Sequence, residues 1–137
     1  MKILIAEDEF TCRKLLQIYL SQYGQCFSAG NGLEAIEAIE QSIIENDPYD
    51  LVCMDIMMPE IDGLETIKKI REIENNNGIS GLHGVKIIVV TTKGLPEDIF
   101  EAFRAGCEGY LIKPVLREDL HAELEKLGFV NTETASS

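Results

Sequence analysis

Short apolar runs alternate with longer amphipathic segments along the whole chain, and this alternation predicts five strands and five helices. The first run, residues 2–6, is apolar on both faces, the pattern of a strand covered on both sides. Thr11 stands where it can cap a helix reaching about Tyr23, with Leu15, Leu16, Tyr19, Leu20 and Tyr23 as its buried stripe and Gly24 as its stop. Residues 25–29 read as a weaker strand of edge character. Asn31-Gly32 then turns the chain into a helix over 33–44, buried through Ala35, Ile36, Ile39 and Ile43, until Asp47-Pro48 breaks it. The third strand is 51–55 and ends on Asp55, with Pro59 and Gly63 shaping the loop that follows. Leu64, Ile67, Ile70 and Ile73 recur at helical spacing over 64–74, and Asn75-Asn76-Asn77-Gly78 ends that helix. An extended loop to Gly84 leads into a strand over 85–91. Pro96 opens a helix over 96–105 with Ile99, Phe100, Ala102 and Phe103 on its apolar face. Gly106 and Gly109 bracket a turn before a strand over 110–112, and Leu116, Leu120, Leu124 and Leu127 mark the last helix. Residues 131–137 are polar and are expected to fray.

Strict alternation of this kind implies right-handed crossovers and a parallel sheet with helices on both faces. Ligands of such open sheets bind beyond the carboxyl ends of the strands. Asp8, Asp55, Thr91 and Lys113 all fall at such ends. The 137 residues suffice for one domain with a substantial core, and no repeat or internal linker divides them. The apolar runs are too short to span a bilayer, and the start turns acidic before any signal-peptide core forms, so a cytoplasmic protein without membrane insertion is expected. A formal charge of −12 argues against nucleic-acid binding, which needs a basic patch. It suits a basic partner, or carboxylates gathered around a metal ion. Cys12, Cys26, Cys53 and Cys107 are scattered beside apolar segments with no CxxC pair, and read as reduced, packed thiols.

Glu7, Asp8 and Asp55 would form a cluster of three carboxylates whose repulsion and partial burial oppose full ionisation unless a cation enters. A hard divalent ion with oxygen ligands answers this, and Mg²⁺ suits a few carboxylates, a backbone carbonyl, waters and a phosphate oxygen. Asp55 can then serve as a nucleophile toward phosphorus. Lys113 offers a second cation and Thr91 a hydroxyl for the same phosphoryl oxygens. Taken singly these features are ordinary. Glu7-Asp8-Glu9 alone reads as a solvated acidic turn, Thr91-Thr92 as strand-end punctuation, and Lys113-Pro114 as an exposed turn. Tyr110 alone reads as a static core residue, His83 and His121 as surface residues, and Met57-Met58 as loop packing around Pro59.

Together they reach a family. Ile3-Leu4-Ile5-Ala6-Glu7-Asp8, Asp55 with Met57-Met58-Pro59 and Asp62-Gly63, Val89-Val90-Thr91, and Gly109-Tyr110-Leu111-Ile112-Lys113-Pro114 occur in order at spacings that resemble response-regulator receiver domains. The resemblance covers residues 1–128, with 129–137 as a short polar tail and no output domain. It implies an α/β, flavodoxin-like (βα)5 three-layer sandwich with a five-stranded parallel sheet in the order 2-1-3-4-5. It also implies a phosphoacceptor signalling switch, catalysing only its own Mg-dependent phosphorylation and dephosphorylation. Asp55 would accept a phosphoryl group from a sensor histidine kinase or a histidine phosphotransfer protein. Glu7, Asp8, Asp55 and the Met57 carbonyl would hold Mg²⁺, with Mn²⁺ as an alternative. Thr91 would be drawn to the phosphate and Tyr110 would swing inward behind it. A cis Lys113–Pro114 bond would aim the lysine at the site. The fourth helix, fifth strand and fifth helix, roughly 95–127, would be read by a separate target protein, with the chain a monomer or a weak phosphorylation-linked dimer.

Some residues depart from the family pattern or add to it. Glu7 fills a place more often held by aspartate, and Thr92 a place usually held by a small residue. Met57 and Lys93 sit two residues beyond Asp55 and Thr91. Bulk at Met57 and Thr92, with charge at Lys93, predicts a fairly long-lived phosphoryl group. The loop 75–84 is longer than the link needs and lies away from Asp55, which fits a variable surface segment or a partner contact. Two rival functions differ in class. A haloacid-dehalogenase-type phosphatase would place a second aspartate two residues after Asp55, where this chain has Met57. A receiver-like docking module would bind partners without turning over phosphate.

Overall fold

A computed structural model describes residues 1–130, apart from the side chain of Leu82. Its elements follow in the order β1 (Lys2–Ala6), α1 (Phe10–Leu20), β2 (Gln25–Ala29), α2 (Gly32–Ile44), β3 (Leu51–Met54), α3 (Gly63–Asn76), β4 (Lys86–Thr91), α4 (Pro96–Ala105), β5 (Gly109–Ile112) and α5 (Arg117–Lys126). The strands form one parallel sheet in the order β2-β1-β3-β4-β5, the flavodoxin-like arrangement expected. The region 131–137 lies outside the described residues.

Each central strand feeds two cores, which is why its sequence shows no polar alternation. Leu4, Val52, Met54, Ile87 and Val89 face one way and pack with Ala35 and Ile39 of α2, Ile67 and Ile70 of α3 and Ala102 of α4. Ile3, Ile5, Leu51, Cys53, Ile88 and Val90 face the other way against Leu16 and Leu20 of α1 and Leu120 and Leu124 of α5. The four cysteines are unpaired, as expected, and burial raises the Cys107 thiol to about 12.

Several local expectations are corrected. Glu9, not Thr11, caps α1: its carboxylate accepts the amides of Thr11 at 3.1 Å and Cys12 at 2.7 Å. The helix ends at Leu20 rather than near Tyr23, and Leu15 points outward. Asn31 and Asp62 cap α2 and α3 by accepting the amides of Glu34 and Glu65 at 2.9 Å each. By contrast α4 and α5 start at Leu95 and Leu116 with no side-chain cap. Phe100 and Phe103 are exposed on α4, so only part of its apolar stripe is core. The helix α3 runs on to Asn76, and the loop after it is not simply extended, since Gly81–His83 form a single 3-10 turn. His121 is not on the surface: it is half-buried, its ring edge-on to Tyr23 at 5.2 Å between centroids.

Close packing of α2 on α3 depends on Gly32. A Cβ there would lie 2.2 Å from Thr66 Oγ1 and 2.9 Å from the Ile61 carbonyl oxygen. Gly32→Ala is therefore expected to destabilise the fold by about 1–3 kcal/mol, read from the urea midpoint, through overpacking rather than helix propensity.

Candidate functional site

The carboxyl ends of β1, β3, β4 and β5 converge on one edge of the sheet. The chain leaves β1 at Glu7, whose amide donates to the Ala29 carbonyl at 3.1 Å, and this contact with the end of β2 holds Glu7 fully inside. Asp55 follows β3, its amide bonded to the Ala6 carbonyl at 3.1 Å, and the residue is 5% exposed. Lys113 follows β5, its amide bonded to the Thr91 carbonyl at 2.8 Å. The Lys113–Pro114 peptide is cis, as the resemblance implied.

These three side chains form a compact ion group. Lys113 Nζ lies 2.8 Å from Asp55 Oδ2 and 2.7 Å from Glu7 Oε1. Glu7 Oε1 is buried and has no other partner among the described residues. Glu7 Oε2 accepts the Glu9 amide at 3.0 Å, and Asp55 Oδ1 accepts the Met57 amide at 2.8 Å. Burial alone would lower the Lys113 ammonium, but hydrogen bonds and attraction from Asp55 and Glu7 outweigh it and hold the group above the usual lysine range.

Asp8 is exposed and completes the acid cluster. One carboxylate oxygen from each of Glu7, Asp8 and Asp55 lies within 4.8 Å of the others. Three hard oxygen donors this close, balanced by one ammonium, fit a small divalent cation such as Mg²⁺. The exposed Asp8 gives the site an open side for waters or a phosphate oxygen.

Thr91 is fully buried at the end of β4, and its Oγ1 accepts the Lys93 amide at 3.4 Å. Tyr110 sits one strand over, half-buried, with its hydroxyl donating to the Lys93 carbonyl at 2.6 Å. The residues expected to sense and report are thus tied to the same short loop. Met57 is 51% exposed beside Asp55, and the Thr92 hydroxyl donates to its Sδ at 3.5 Å. Lys93 is exposed. Leu95, Phe100, Phe103, Ile112 and Leu116 make the expected surface of α4, β5 and α5 strongly apolar.

The family model for the response regulator receiver domain matches residues 3–125. The chain belongs to that family. The receiver is 31% identical over 125 residues to the probable transcriptional regulator ycf29 of Porphyra purpurea, covering 91% of this chain and 55% of that protein. It is 36% identical over 115 residues to the transcriptional regulatory protein ResD of Bacillus subtilis, covering 82% of this chain and 42% of that one. The receiver therefore spans about half the length of these curated relatives. Among solved structures it is similar to the Saccharomyces cerevisiae Ssk1 receiver complexed with the histidine phosphotransfer protein Ypd1. That match has a TM-score of 0.79, 28% identity and coverage of 93% of this chain and 88% of that one. It is also similar to the receiver domain of a Pseudomonas aeruginosa sensor histidine kinase that holds a magnesium ion in its active-site cleft. There the TM-score is 0.75, the identity 28% and the coverage 92% and 95%. Receiver domains are signalling switches of two-component systems and generally not enzymes. None of the described helices is long and apolar enough to cross a membrane.

One group behind the turn between α4 and β5 was not anticipated. Arg71 of α3 donates from Nη1 to Glu74 Oε1 and the Val85 carbonyl at 2.7 Å each, and from Nη2 to Glu108 Oε1 at 2.6 Å and the Gly106 carbonyl at 2.8 Å. Glu74 Oε2 accepts the Val85 amide and Glu108 Oε2 the Ile87 amide, each at 2.7 Å. This clamp joins α3, the start of β4 and the turn between α4 and β5.

Proposed function

We propose that Asp55 is the phosphoacceptor of a cytoplasmic two-component switch. A carboxylate oxygen attacks phosphorus of a phosphohistidine on a kinase or phosphotransfer protein. An O–P bond forms as the P–N bond breaks, and its electron pair stays on the imidazole nitrogen. Glu7, Asp8, Asp55 and the Met57 carbonyl would hold Mg²⁺, or Mn²⁺, which when bound offsets charge on the phosphoryl oxygens. Lys113 supplies the resident cation and Thr91 the hydroxyl that follows the phosphate. The observation that carries this reading is the half-buried Lys113 ammonium shared by Asp55 and Glu7 beside the open Asp8. The Ssk1 complex with a phosphotransfer protein and the magnesium-bound relative support it.

Movement of Thr91 would withdraw the Lys93 amide from its bond and free the carbonyl that holds Tyr110, so Tyr110 can turn inward and reshape the surface of α4, β5 and α5 for a target protein. Incubation with acetyl phosphate and Mg²⁺ tests the acceptor. The expected result is a mass gain of one phosphate on Asp55 that is absent in Asp55→Asn and without divalent ion. No gain in the wild-type protein rejects the switch and leaves a docking module.

The Thr92–Met57 contact beside Asp55 is the route by which these residues, with Lys93, would slow the approach of water. Thr92→Ala is expected to shorten the half-life of the phosphorylated form several-fold in a quenched-flow decay assay. An unchanged half-life would remove steric control from this pair.

A further inference from the structure

The far edge of the sheet carries a second site that the phosphoacceptor chemistry does not use. Beneath the starts of β3 and β4, between the ends of α2, α3 and α5, lies a half-open cavity of about 420 Å³. Its size falls within the range of roughly 300–1,000 Å³ typical of small-molecule sites. Ile39, Ile43, Ile79, Val85, Leu127 and Phe129 supply apolar wall. The segment after α3 closes one side, and Gly84 allows this closure because a Cβ there would stand 2.7 Å from Glu74 Oε1. The unusual length of that link thus acquires a structural use.

The polar groups of the wall decide what would fit. Its acids are already engaged: Glu74 is held by Arg71 and the Val85 amide, and Asp50 Oδ2 accepts the Lys2 amide at 2.7 Å. The Lys2 ammonium outside the wall is occupied by Asp47, 3.3 Å from its Oδ2, which leaves Lys86 as the cation of the cavity. Lys86 lines the cavity and forms no ion pair among the described residues. Glu108, the acid that feels its charge, is already gripped by Arg71. Neither Lys86 Nζ nor His83, also in the wall, donates a side-chain hydrogen bond within the described residues. Each wall carboxylate thus has a donor, while the Lys86 ammonium has no acceptor among the described residues.

We infer that this cavity binds an amphiphile with an apolar body and a single carboxylate, the carboxylate set against the Lys86 ammonium and the body between Ile43, Ile79, Leu127 and Phe129. An occupant would touch the end of α5 and the Glu74 side of the Arg71 clamp, so it would lie against both the switching helix and the strut behind α4. The inference stands apart from phosphorylation, because no residue of the cavity belongs to the Asp55 site.

Three probes with unbranched ten-carbon chains test it by amide chemical-shift titration of the full chain: decanoate, decanol and decyltrimethylammonium. Decanoate should bind saturably with shifts at Ile43, Ile79, Lys86 and Phe129, decanol more weakly, and the cation not at all. Lys86→Glu should weaken decanoate by about tenfold or more, since it replaces the attraction with repulsion. Ile79→Trp should block it by filling the space. Each variant's fold is checked by unchanged acetyl-phosphate labelling of Asp55 or, should wild type not label, by an unchanged amide spectrum outside the cavity. Equal binding of decanoate and decanol, indifference to Lys86→Glu, or shifts confined to Leu95, Phe100 and Phe103 on α4 would each overturn the site.

Discussion

Methionine in place of Lys113 is expected to cut the rate of Asp55 phosphorylation by acetyl phosphate about 100-fold or more, the usual cost of removing one preorganised charge from a transferring group. The ammonium lies 2.8 Å from the Asp55 carboxylate, and its side chain is largely buried, so no water replaces it at equal field strength. Methionine keeps the length and loses the charge. The same change removes the only side-chain cation paired with Glu7 and Asp55 among the described residues, leaving Glu7, Asp8 and Asp55 in mutual repulsion. Affinity for Mg²⁺, read by calorimetric titration, is therefore expected to rise while turnover falls. These opposite signs distinguish loss of the cation from simple misfolding, which would weaken both. Phosphorylation at the wild-type rate would show that Lys113 is a structural counter-ion only.

Loss of the Arg71 clamp should be costly in a different way. Arg71→Met is expected to lower the unfolding free energy by about 3–5 kcal/mol, because it strands a buried carboxylate rather than deleting a balanced pair. The Glu74 side chain is 7% exposed and keeps only the Val85 amide when the guanidinium goes. Glu108 loses a 2.6 Å partner as well. Chemical denaturation at neutral pH measures the effect, and the double variant Arg71→Met, Glu74→Gln should recover part of it. The pH dependence has a definite sign. Burial raises the Glu108 carboxyl above its ordinary value of 4.5, opposed by its bonds to the Ile87 amide and Arg71. A raised folded value means the folded chain holds the proton more tightly than the unfolded chain. Its stabilising contribution is full below 4.5 and is lost as pH rises through the folded value. The penalty of Arg71→Met should thus shrink on acidification. A penalty below about 1 kcal/mol would mean that the carboxylates find water once the arginine leaves.

The active edge was legible because each of its members closes an apolar run. Asp55 after Leu51-Val52-Cys53-Met54, and Lys113 after Tyr110-Leu111-Ile112, announce strand ends by a change of polarity that survives into three dimensions. The Arg71 clamp left no such trace. Its two acids are three and 37 residues away, and Arg71, Glu74 and Glu108 each look like solvated surface in their own segment. Helix boundaries failed where chemistry was locally ambiguous. Thr11 is a better cap by type than Glu9, yet the buried Glu7 turns the chain so that the Glu9 carboxylate meets the open amides. Phe100 and Phe103 continue an apolar period that only the sheet's edge could show to be outward-facing.

The uneven capping of the helices bears on how little energy the switch requires. Helices α1, α2 and α3 have amides of their first turns bonded by the side chains of Glu9, Asn31 and Asp62, whereas α4 and α5, entered from Leu95 and Leu116, have no side-chain cap. A missing cap costs of order 1 kcal/mol, so the first turns of these two helices should open by local unfolding more often than the rest. Their amides should be among the fastest-exchanging helical ones in the chain. The surface proposed to change on phosphorylation is then one already sampling more than one form, and a modest difference in affinity between those populations suffices to choose between them.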